Sequence, residues 1–315
     1  MTRIRSIAAI SALATFAALS VSGTPAYAYP DKPVTIVVGF GAGGGVDAIS
    51  RAASKALVPA LGQPVIIENK PGAGGALAVT GLKSTAADGY TLVATTSTTL
   101  TFDPHTKNLG FGFEDFDYIA AYGEFPEAFV SLPSRGWKTM KDVVAEARAK
   151  GGLTYASTTS IDRVVMAAIA KKEKIVIRPV PTKGGAEAVA QALGGHVDFA
   201  YSSGTYHSHA VAGKLHVLSV LGDKRSSDFK DAPTLKELGY DIESVSMILF
   251  LAPKGIPAAV KAKLVEAFAV AGKDKDLLSL MAKRNMGDLV LVGDELGKAL
   301  KSQNAQFKAA VQDNQ

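Results

Sequence analysis

The sequence predicts an α/β protein of two lobes, each a sheet flanked by helices, joined by two crossovers. Three observations lead to this prediction. Short apolar runs alternate with helical patterns, hydrophobic residues make up 47% of the chain against 20% charged residues, and the chain has 315 residues. Alternation of strand and helix is typical of parallel sheets with helices on both faces. Because single domains usually have ~100 to 200 residues, the length favours two of them.

The chain begins with the features of an export signal. Residues 1–5 include two arginines, residues 6–20 are apolar or small, and Ala26, Tyr27 and Ala28 form a small-x-small cleavage site. This pattern predicts a secretory signal peptide that is cleaved after Ala28. The chain has no cysteine, which excludes disulfides and a lipid-modified N-terminal cysteine. We therefore expect a protein of the periplasm.

The charge of the mature chain is mildly positive. Loss of Arg3 and Arg5 with the signal peptide lowers the formal net charge from +5 to +3. The basic residues are scattered along the sequence, so we expect no nucleic-acid partner. A small positive balance favours anionic small molecules instead.

Strands and helices alternate through the first part of the mature chain. Apolar runs at 34–38, 65–67 and 91–95 predict strands. Apolar residues recur at spacings of three and four from 46 to 60, which predicts a helix between the first two strands. We expect these elements to form a parallel sheet with helices on both faces.

A second alternating unit occupies the middle of the chain. Its predicted strands are 128–132, 154–156, 176–180 and 197–201. Its predicted helices are 139–150, 164–172 and 186–193. This part of the sequence therefore has enough strands for a sheet of its own.

The C-terminal part contains one strongly apolar strand, 247–252. The helices predicted after it are 257–271, 277–284 and 294–311. Because one strand cannot form a sheet, we expect this part to return to the first one.

The sequence thus predicts a first lobe of 29–124 plus 247–315 and a second lobe of 125–246. Crossovers are expected near 122–126 and 244–247, and they leave a cleft between the lobes. Clefts between lobes are common small-molecule sites.

A glycine-rich loop follows the first strand and is the strongest functional signal in the sequence. It runs from Gly39 to Asp47 and contains five glycines. Glycines leave main-chain N–H groups uncovered at a helix start, where an anion is favoured. The loop also matches G-x-G-x-x-G at Gly39, Gly41 and Gly44, and Glu68 follows about 20 residues later. A nicotinamide-dinucleotide oxidoreductase is therefore the alternative function.

Other patterns count against catalysis. An oxidoreductase needs a cytoplasmic address and a hydride-transfer site, whereas this chain has an export signal and no catalytic constellation. A hydrolase is disfavoured because the sequence has no G-x-S-x-G elbow. We expect no enzymatic activity and no cofactor.

Neither a metal site nor an aromatic ligand cage is predicted. His207 and His209 would share one face of a strand, but no third histidine or acidic cluster accompanies them, so we expect surface histidines. Trp137 and the phenylalanines of 111–116 are interpreted as packing residues.

Longer motifs resemble one protein family. They are YPDKPVTIVV at 29–38, the glycine loop, LGQPVIIENKPGAGG at 61–75, ADGYTL at 87–92, DAPTLKELG at 231–239 and LAPKGIP at 251–257. Together they resemble the Bug family, the extracytoplasmic solute receptors of tripartite tricarboxylate transporters. The resemblance implies a two-lobed type II periplasmic-binding-protein fold. It also implies capture of a mono- or dicarboxylate in the cleft and delivery to the permease subunits in the membrane. We expect the chain to act as a monomer.

The resemblance also implies where the ligand lies. One carboxylate would meet the first loop, at Phe40, Gly41, Ala42, Gly43, Gly44 and Asp47, with Thr96, Ser97 and Thr98 closing that side. The other would meet second-lobe loops containing Ser157, Thr158, Thr159 and Ser160, and Lys183, Gly184 and Gly185. Tyr201 and Ser202 end a strand on the same side, so we expect them to line the cleft.

Asp162 and Arg163 fall near the expected pocket, and two interpretations of Arg163 stay open. Its guanidinium could clamp a ligand carboxylate, or Asp162 could neutralise it in a surface pair. The sequence leaves open which acid is bound.

Overall fold

The structure is a computed structural model that describes residues 29–222, 224–241, 244 and 246–312. The predicted signal peptide and its cleavage site lie outside these residues. Within them, no helix combines the length and the apolar character that crossing a bilayer requires.

The first part of the chain contains strands β1 (Val34–Val38), β2 (Val65–Asn69), β3 (Thr91–Thr96) and β4 (Phe116–Glu124). Its α-helices are α1 (Gly45–Leu61), α2 (Ala76–Lys83), α3 (Ser97–Thr101) and α4 (Asp103–Thr106). Gly62 ends α1 with φ +69°, a left-handed conformation that glycine adopts without steric cost. The first three strands and α1 confirm the predicted elements.

The middle of the chain contains strands β5 (Glu127–Ser131), β6 (Leu153–Ser157), β7 (Ile177–Pro181), β8 (Phe199–Ser203) and β9 (His216–Val220). Its α-helices are α5 (Met140–Lys150), α6 (Ser160–Glu173), α7 (Gly185–Leu193) and α8 (His207–Val211). The chain then continues through β10 (Met247–Pro253), α9 (Ala258–Ala271), α10 (Lys275–Lys283), β11 (Val290–Val292) and α11 (Gly293–Gln312).

These strands form two sheets. The described strands of one sheet have the order β11-β4-β10-β3-β1-β2, and those of the other have the order β7-β6-β8-β5-β9. The apolar strand β10 therefore returns to the first sheet, as predicted. The lobe boundaries given above remain predictions.

The parallel arrangement predicted for the first three strands is confirmed, and the two sheets also contain antiparallel strands. β1 is parallel to β2 and β3, and β6 is parallel to β7 and β8. β10, however, is antiparallel to β3 and β4, and β5 is antiparallel to β8 and β9. These antiparallel strands arrive from the other lobe and enter the sheet in the opposite direction, which an apolar run does not encode.

Four hydrophobic clusters cover the faces of the two sheets. Trp137 is buried in the cluster that surrounds Phe129 and Tyr155, and Phe111 and Phe116 are buried in the first lobe, which confirms them as packing residues. Phe102, which follows α3, is buried in the second-lobe cluster. The α3–α4 segment therefore reaches from the first sheet to the core of the second.

Candidate functional site

Three loops, each at the carboxyl end of a parallel strand, meet between the two sheets. They are 39–44 after β1, 158–159 after β6 and 182–184 after β7. The amide of Gly41 donates to the carbonyl oxygen of Lys183 over 2.8 Å, so the first and third loops touch directly. Open α/β sheets bind ligands at this edge. The structure thus brings residues of two predicted ligand loops together.

The helices that follow these loops begin with the same arrangement. The third residue of each helix is acidic, and its carboxylate accepts a hydrogen bond from the amide four residues earlier. The pairs are Gly43 with Asp47 at 2.9 Å, Thr158 with Asp162 at 2.9 Å, and Lys183 with Glu187 at 2.8 Å. The positive end of a helix dipole stabilises such a carboxylate. The three acids therefore fix the shapes of the loops.

Asp47 organises the glycine loop from a buried position. Its carboxylate pairs with Arg51 at 3.0 Å and accepts from Asn69 at 2.8 Å. Burial raises the pKa of Asp47, but hydrogen bonds from Arg51, the Gly43 amide and Asn69 lower it overall. Asp47 is therefore ionised at neutral pH. The sequence reasoning missed Arg51 and Asn69, although the i,i+4 spacing of Asp47 and Arg51 was a usable signal.

The predicted residues at the centre of the glycine loop differ in exposure. The ring of Phe40 is buried in the first-lobe core, Ala42 is exposed and Gly44 is buried. Gly45, the first residue of α1, has no room for a side chain, because a Cβ there would lie 2.9 Å from a ring carbon of Phe125. The loop therefore offers main-chain groups rather than side chains to the cleft.

Asp162 engages the donors of the second loop. It is fully buried and accepts from the amides of Thr158 at 2.9 Å and Thr159 at 2.6 Å, and from the hydroxyl of Tyr155 at 3.0 Å. Burial raises its pKa although these hydrogen bonds oppose the change. The interpretation of Asp162 and Arg163 as a surface pair was wrong, because a buried carboxylate faces its own loop.

Arg163 lies against the hydroxyls of the same loop. Its Nη1 donates to Ser157 Oγ at 2.9 Å and its Nη2 to Ser160 Oγ at 3.4 Å. Lys107, which follows α4, also donates to Ser160. Asp103 of α4 lies nearby, where burial raises its pKa to about 6 against the lowering effect of Lys107, Ser160 and Arg163. This cluster joins the lobes, and no sequence motif marked Asp103 or Lys107 in advance.

The third loop presents amides. The side chain of Lys183 is exposed and Gly184 is buried. The amides of Gly185 and Ala186, at the start of α7, donate no hydrogen bond to any described residue. The same holds within the described residues for Val46 at the start of α1.

The predicted hydroxyl residues after β3 form a buried cluster within the first lobe. Thr96 Oγ1 lies 2.9 Å from Thr99 Oγ1 and 3.1 Å from Thr98 Oγ1. Ser97 Oγ accepts from the amide of Met247 at 3.2 Å. In this conformation their hydroxyls bond to one another and to β10.

Buried polar side chains lie around the end of β8. Tyr201 is fully buried, and its hydroxyl donates to Glu127 Oε1 at 2.6 Å. Burial raises the pKa of Glu127 to about 7, and Asp162 adds to this rise. Ser202 Oγ and Thr205 Oγ1 are buried and have no hydrogen-bond partner among the described residues. Tyr201 and Ser202 were predicted from the sequence to line the cleft, whereas Glu127 and Thr205 were not.

Among the described residues, two cavities lie outside the three loops. One of about 610 Å³ is lined by residues 104–111 and by Asp115. The other, of about 370 Å³, is lined in part by residues 124–127 and 285–287. The loops themselves are in close contact in this conformation.

The histidines do not form a metal site. His207 and His209 lie on α8, and His207 Nε2 pairs with Asp228 at 2.7 Å. Within the described part of the chain, no cluster of histidine and carboxylate side chains could hold a metal ion.

The sequence is similar to known receptor sequences. The family model "Tripartite tricarboxylate transporter family receptor" matches residues 49–315. A Cupriavidus necator protein described as "UPF0065 protein in gbd 5'region" is 35% identical over 294 residues, which are 91% of this chain and 90% of that protein. Protein BugT of Bordetella pertussis is 28% identical over 78% of this chain and 81% of that protein.

Solved structures share the fold. The periplasmic binding protein BugD is 25% identical, with a TM-score of 0.81 over 90% of this chain and 98% of that one. MatC from Rhodopseudomonas palustris with bound malate is 23% identical, with a TM-score of 0.80 over 90% and 100% of the chains. An R. palustris protein with adipate is 22% identical, with a TM-score of 0.76 over 90% and 97%. The predicted two-lobed α/β fold is confirmed.

Proposed function

Because the chain belongs to the tripartite tricarboxylate transporter family of receptors, we propose that it captures a small organic acid in the periplasm and delivers it to the membrane permease. It acts as a monomer, with its export signal cleaved after Ala28. The first lobe comprises 29–124 plus 247–315 and the second 125–246. The acid is a mono- or dicarboxylate held between the lobes.

The observation that carries this proposal is the meeting of helix starts between the two sheets. The amides at the starts of α1 and α7 lack acceptors among the described residues, and helix N-termini favour anions. Arg163 and Lys107 add positive charge at the start of α6. A carboxylate accepts several hydrogen bonds at once, which suits such a cluster of donors.

The dinucleotide alternative is not favoured by the geometry of the glycine loop. In that motif the second glycine lets the main chain approach the pyrophosphate. Here the amide of Gly41 donates to Lys183 O, and the amide of Gly43 donates to Asp47. Glu68, which would hold the ribose, pairs with Lys70 at 3.3 Å.

Calorimetric titration of the mature chain tests the proposal. Malate and adipate are the first probes, because proteins of this fold have been solved with them; a thermal-shift screen of mono-, di- and tricarboxylates and aromatic acids then extends the search. We expect one acid to bind at one site per chain with micromolar affinity and without turnover. A protein that ignores every acid but binds nicotinamide dinucleotides would overturn the proposal.

A further inference from the structure

The two second-lobe loops differ in the donors that they leave available. At the start of α6, Asp162 engages the amides of Thr158 and Thr159, and Arg163 bonds to the Ser157 and Ser160 hydroxyls. At the start of α7, Glu187 engages only the amide of Lys183, so the amide of Gly184 has no acceptor among the described residues. The first two amides of both helices also have none within the described part of the chain, so the difference lies in the Gly184 amide and in the hydroxyls nearby.

Two hydroxyl groups without partners lie beside the start of α7. A Cβ built on Gly185 would lie 2.7 Å from Thr205 Oγ1 and 3.7 Å from Ser202 Oγ. Ser202 is fully buried, and neither oxygen has a hydrogen-bond partner in the described part of the chain. A buried hydroxyl without a partner loses its hydrogen bonds to water, so the position of both hydroxyls at a helix N-terminus points to a bound group.

The start of α1 faces this place from the first lobe. A Cβ on Gly44 would lie 4.0 Å from the amide nitrogen of Gly185. The positive ends of α1 and α7 are therefore close neighbours. Asp47 and Glu187 each bring one negative charge to their own helix start, and both dipoles would favour a further anion between them. An anion at this place would stabilise both helices and hold the lobes together.

We infer that Ser202, Thr205 and the amides of Gly185 and Ala186 form a subsite for one carboxylate of the ligand, shared between α7 and the start of α1. The inference rests on the proposed function and refines it, because it assigns the second-lobe carboxylate contact to α7 rather than to the α6 loop. The nearest acid on this helix, Glu187, is held by the amide of Lys183. The remaining groups are N–H and O–H donors, which match a carboxylate and not a cation.

Substitutions at the subsite test the inference with little risk to the fold. Ser202→Ala and Thr205→Val remove hydroxyls that bond to no described residue, so we expect the melting temperature of the ligand-free protein to stay the same or rise. Each should weaken acid binding about tenfold, and the double variant about a hundredfold. Gly185→Ala places a methyl group in the subsite and should abolish binding. Ser219→Ala is the matched control, because Ser219 is also a fully buried serine without a described partner, but it lies on β9.

Ligand analogues separate this inference from the proposed function. If adipate binds, hexanoate lacks one carboxylate; if malate binds, 2- and 3-hydroxybutyrate each lack one. If the analogue leaves the subsite empty, Thr205→Val should no longer weaken its binding, and if the analogue fills the subsite, the loss should persist. Equal affinity of wild type and variants for the intact acid would overturn the subsite alone. No binding of any acid by the wild type would overturn both proposals.

Discussion

Glu127 has an environment unlike that of an ordinary surface carboxylate. Its side chain is buried at the start of β5, where it accepts a hydrogen bond from Tyr201. Burial raises its pKa from 4.5 to about 7. The folded protein therefore binds the proton more tightly than the unfolded chain does. The resulting stabilisation is complete below pH 4.5 and is lost as the pH rises through 7.

Glu127→Gln should remove this pH dependence. Glutamine keeps an acceptor for Tyr201 but cannot ionise, so the two proteins should have similar stabilities at pH 5. At pH 8 the variant should be more stable by on the order of 3 kcal/mol, the free energy that corresponds to the pKa difference. Urea unfolding at both pH values measures the change. Asp103 also has a raised pKa, but it is present in both proteins and cancels in the comparison.

A surface glutamate supplies the control for this prediction. Hydrogen bonds from Arg225 and the Thr234 amide lower the pKa of Glu237. Glu237→Gln should therefore gain no stability at pH 8. An equal difference between Glu127→Gln and wild type at pH 5 and pH 8 would contradict the raised pKa.

The three helices that start at the cleft share the same hydrogen-bonding arrangement at their N-termini. α1, α6 and α7 each have an acid at the third position that holds the preceding loop. Helix α5 has the same feature, since Asp142 accepts from the amide of Lys138 at 2.8 Å, but α5 does not start at the meeting loops. An acid at the third helix position therefore stabilises helices generally. We expect it to affect ligand binding only where the loop that it holds lines the cleft.

Glu187→Ala should separate these two consequences. Loss of one capping hydrogen bond should lower the free energy of unfolding by about 1 kcal/mol. It should also release the loop that carries Lys183 and Gly185, so acid binding should weaken about fivefold. Asp142→Ala removes hydrogen bonds from the amides of Lys138 and Thr139, so it should cost at least as much stability without changing affinity. Titration and thermal unfolding of both variants measure the effects, and a parallel loss of affinity in both would show that the cap acts through general stability.

The sequence identified most elements because apolar periodicity marks buried strands and helix faces. β1 has the predicted bounds, and α7 begins one residue before the predicted helix. The elements that were not predicted are strands β4 and β9, helix α2 and the short elements α3, α4, α8 and β11. The short ones span too few residues for an apolar period to show.

The candidate site was predictable in its location but not in its hydrogen bonds. Loops at the carboxyl ends of parallel strands follow from the alternation of strands and helices. Asp162 points into its loop because the Tyr155 hydroxyl, on the preceding strand β6, and two loop amides donate to it, and the direction of these groups cannot be deduced from the sequence. Likewise, the sequence does not show that the hydroxyl of Thr205 lies beside Gly185 at the start of α7, because the two residues are distant in sequence and adjacent in space.

Several contacts connect the two lobes. Besides the bond from Gly41 to Lys183, Lys107 reaches Ser160 from the first lobe. Phe102 packs edge-on against Phe307 of α11, with ring centroids 5.2 Å apart, beside the second-lobe core. The polar contacts lie at the cleft, where a change in the angle between the lobes would break them, so we expect them to belong to a closed form that the ligand selects.

Lys107→Gln tests whether these polar contacts contribute to closure. The contact with Ser160 exists only when the lobes approach, so its loss should weaken acid binding several-fold and leave unfolding of the ligand-free protein unchanged. Lys83→Gln is the control, because Lys83 bonds to Gly110 and Asp115 on its own lobe. Equal affinities in the two variants would exclude a role for Lys107 in closure.

Small-angle scattering measures the closure itself. An acid that touches both α1 and α7 binds the closed form more tightly than the open one, so saturation should reduce the radius of gyration of the wild type. Gly185→Ala blocks the proposed subsite with a methyl group, so its radius should not change at the same acid concentration. A radius that stays constant in the wild type at calorimetric saturation would mean that the acid binds without moving the lobes. The neighbouring N-termini of α1 and α7 would then form a fixed anion site, and anion binding there would not bring the lobes together.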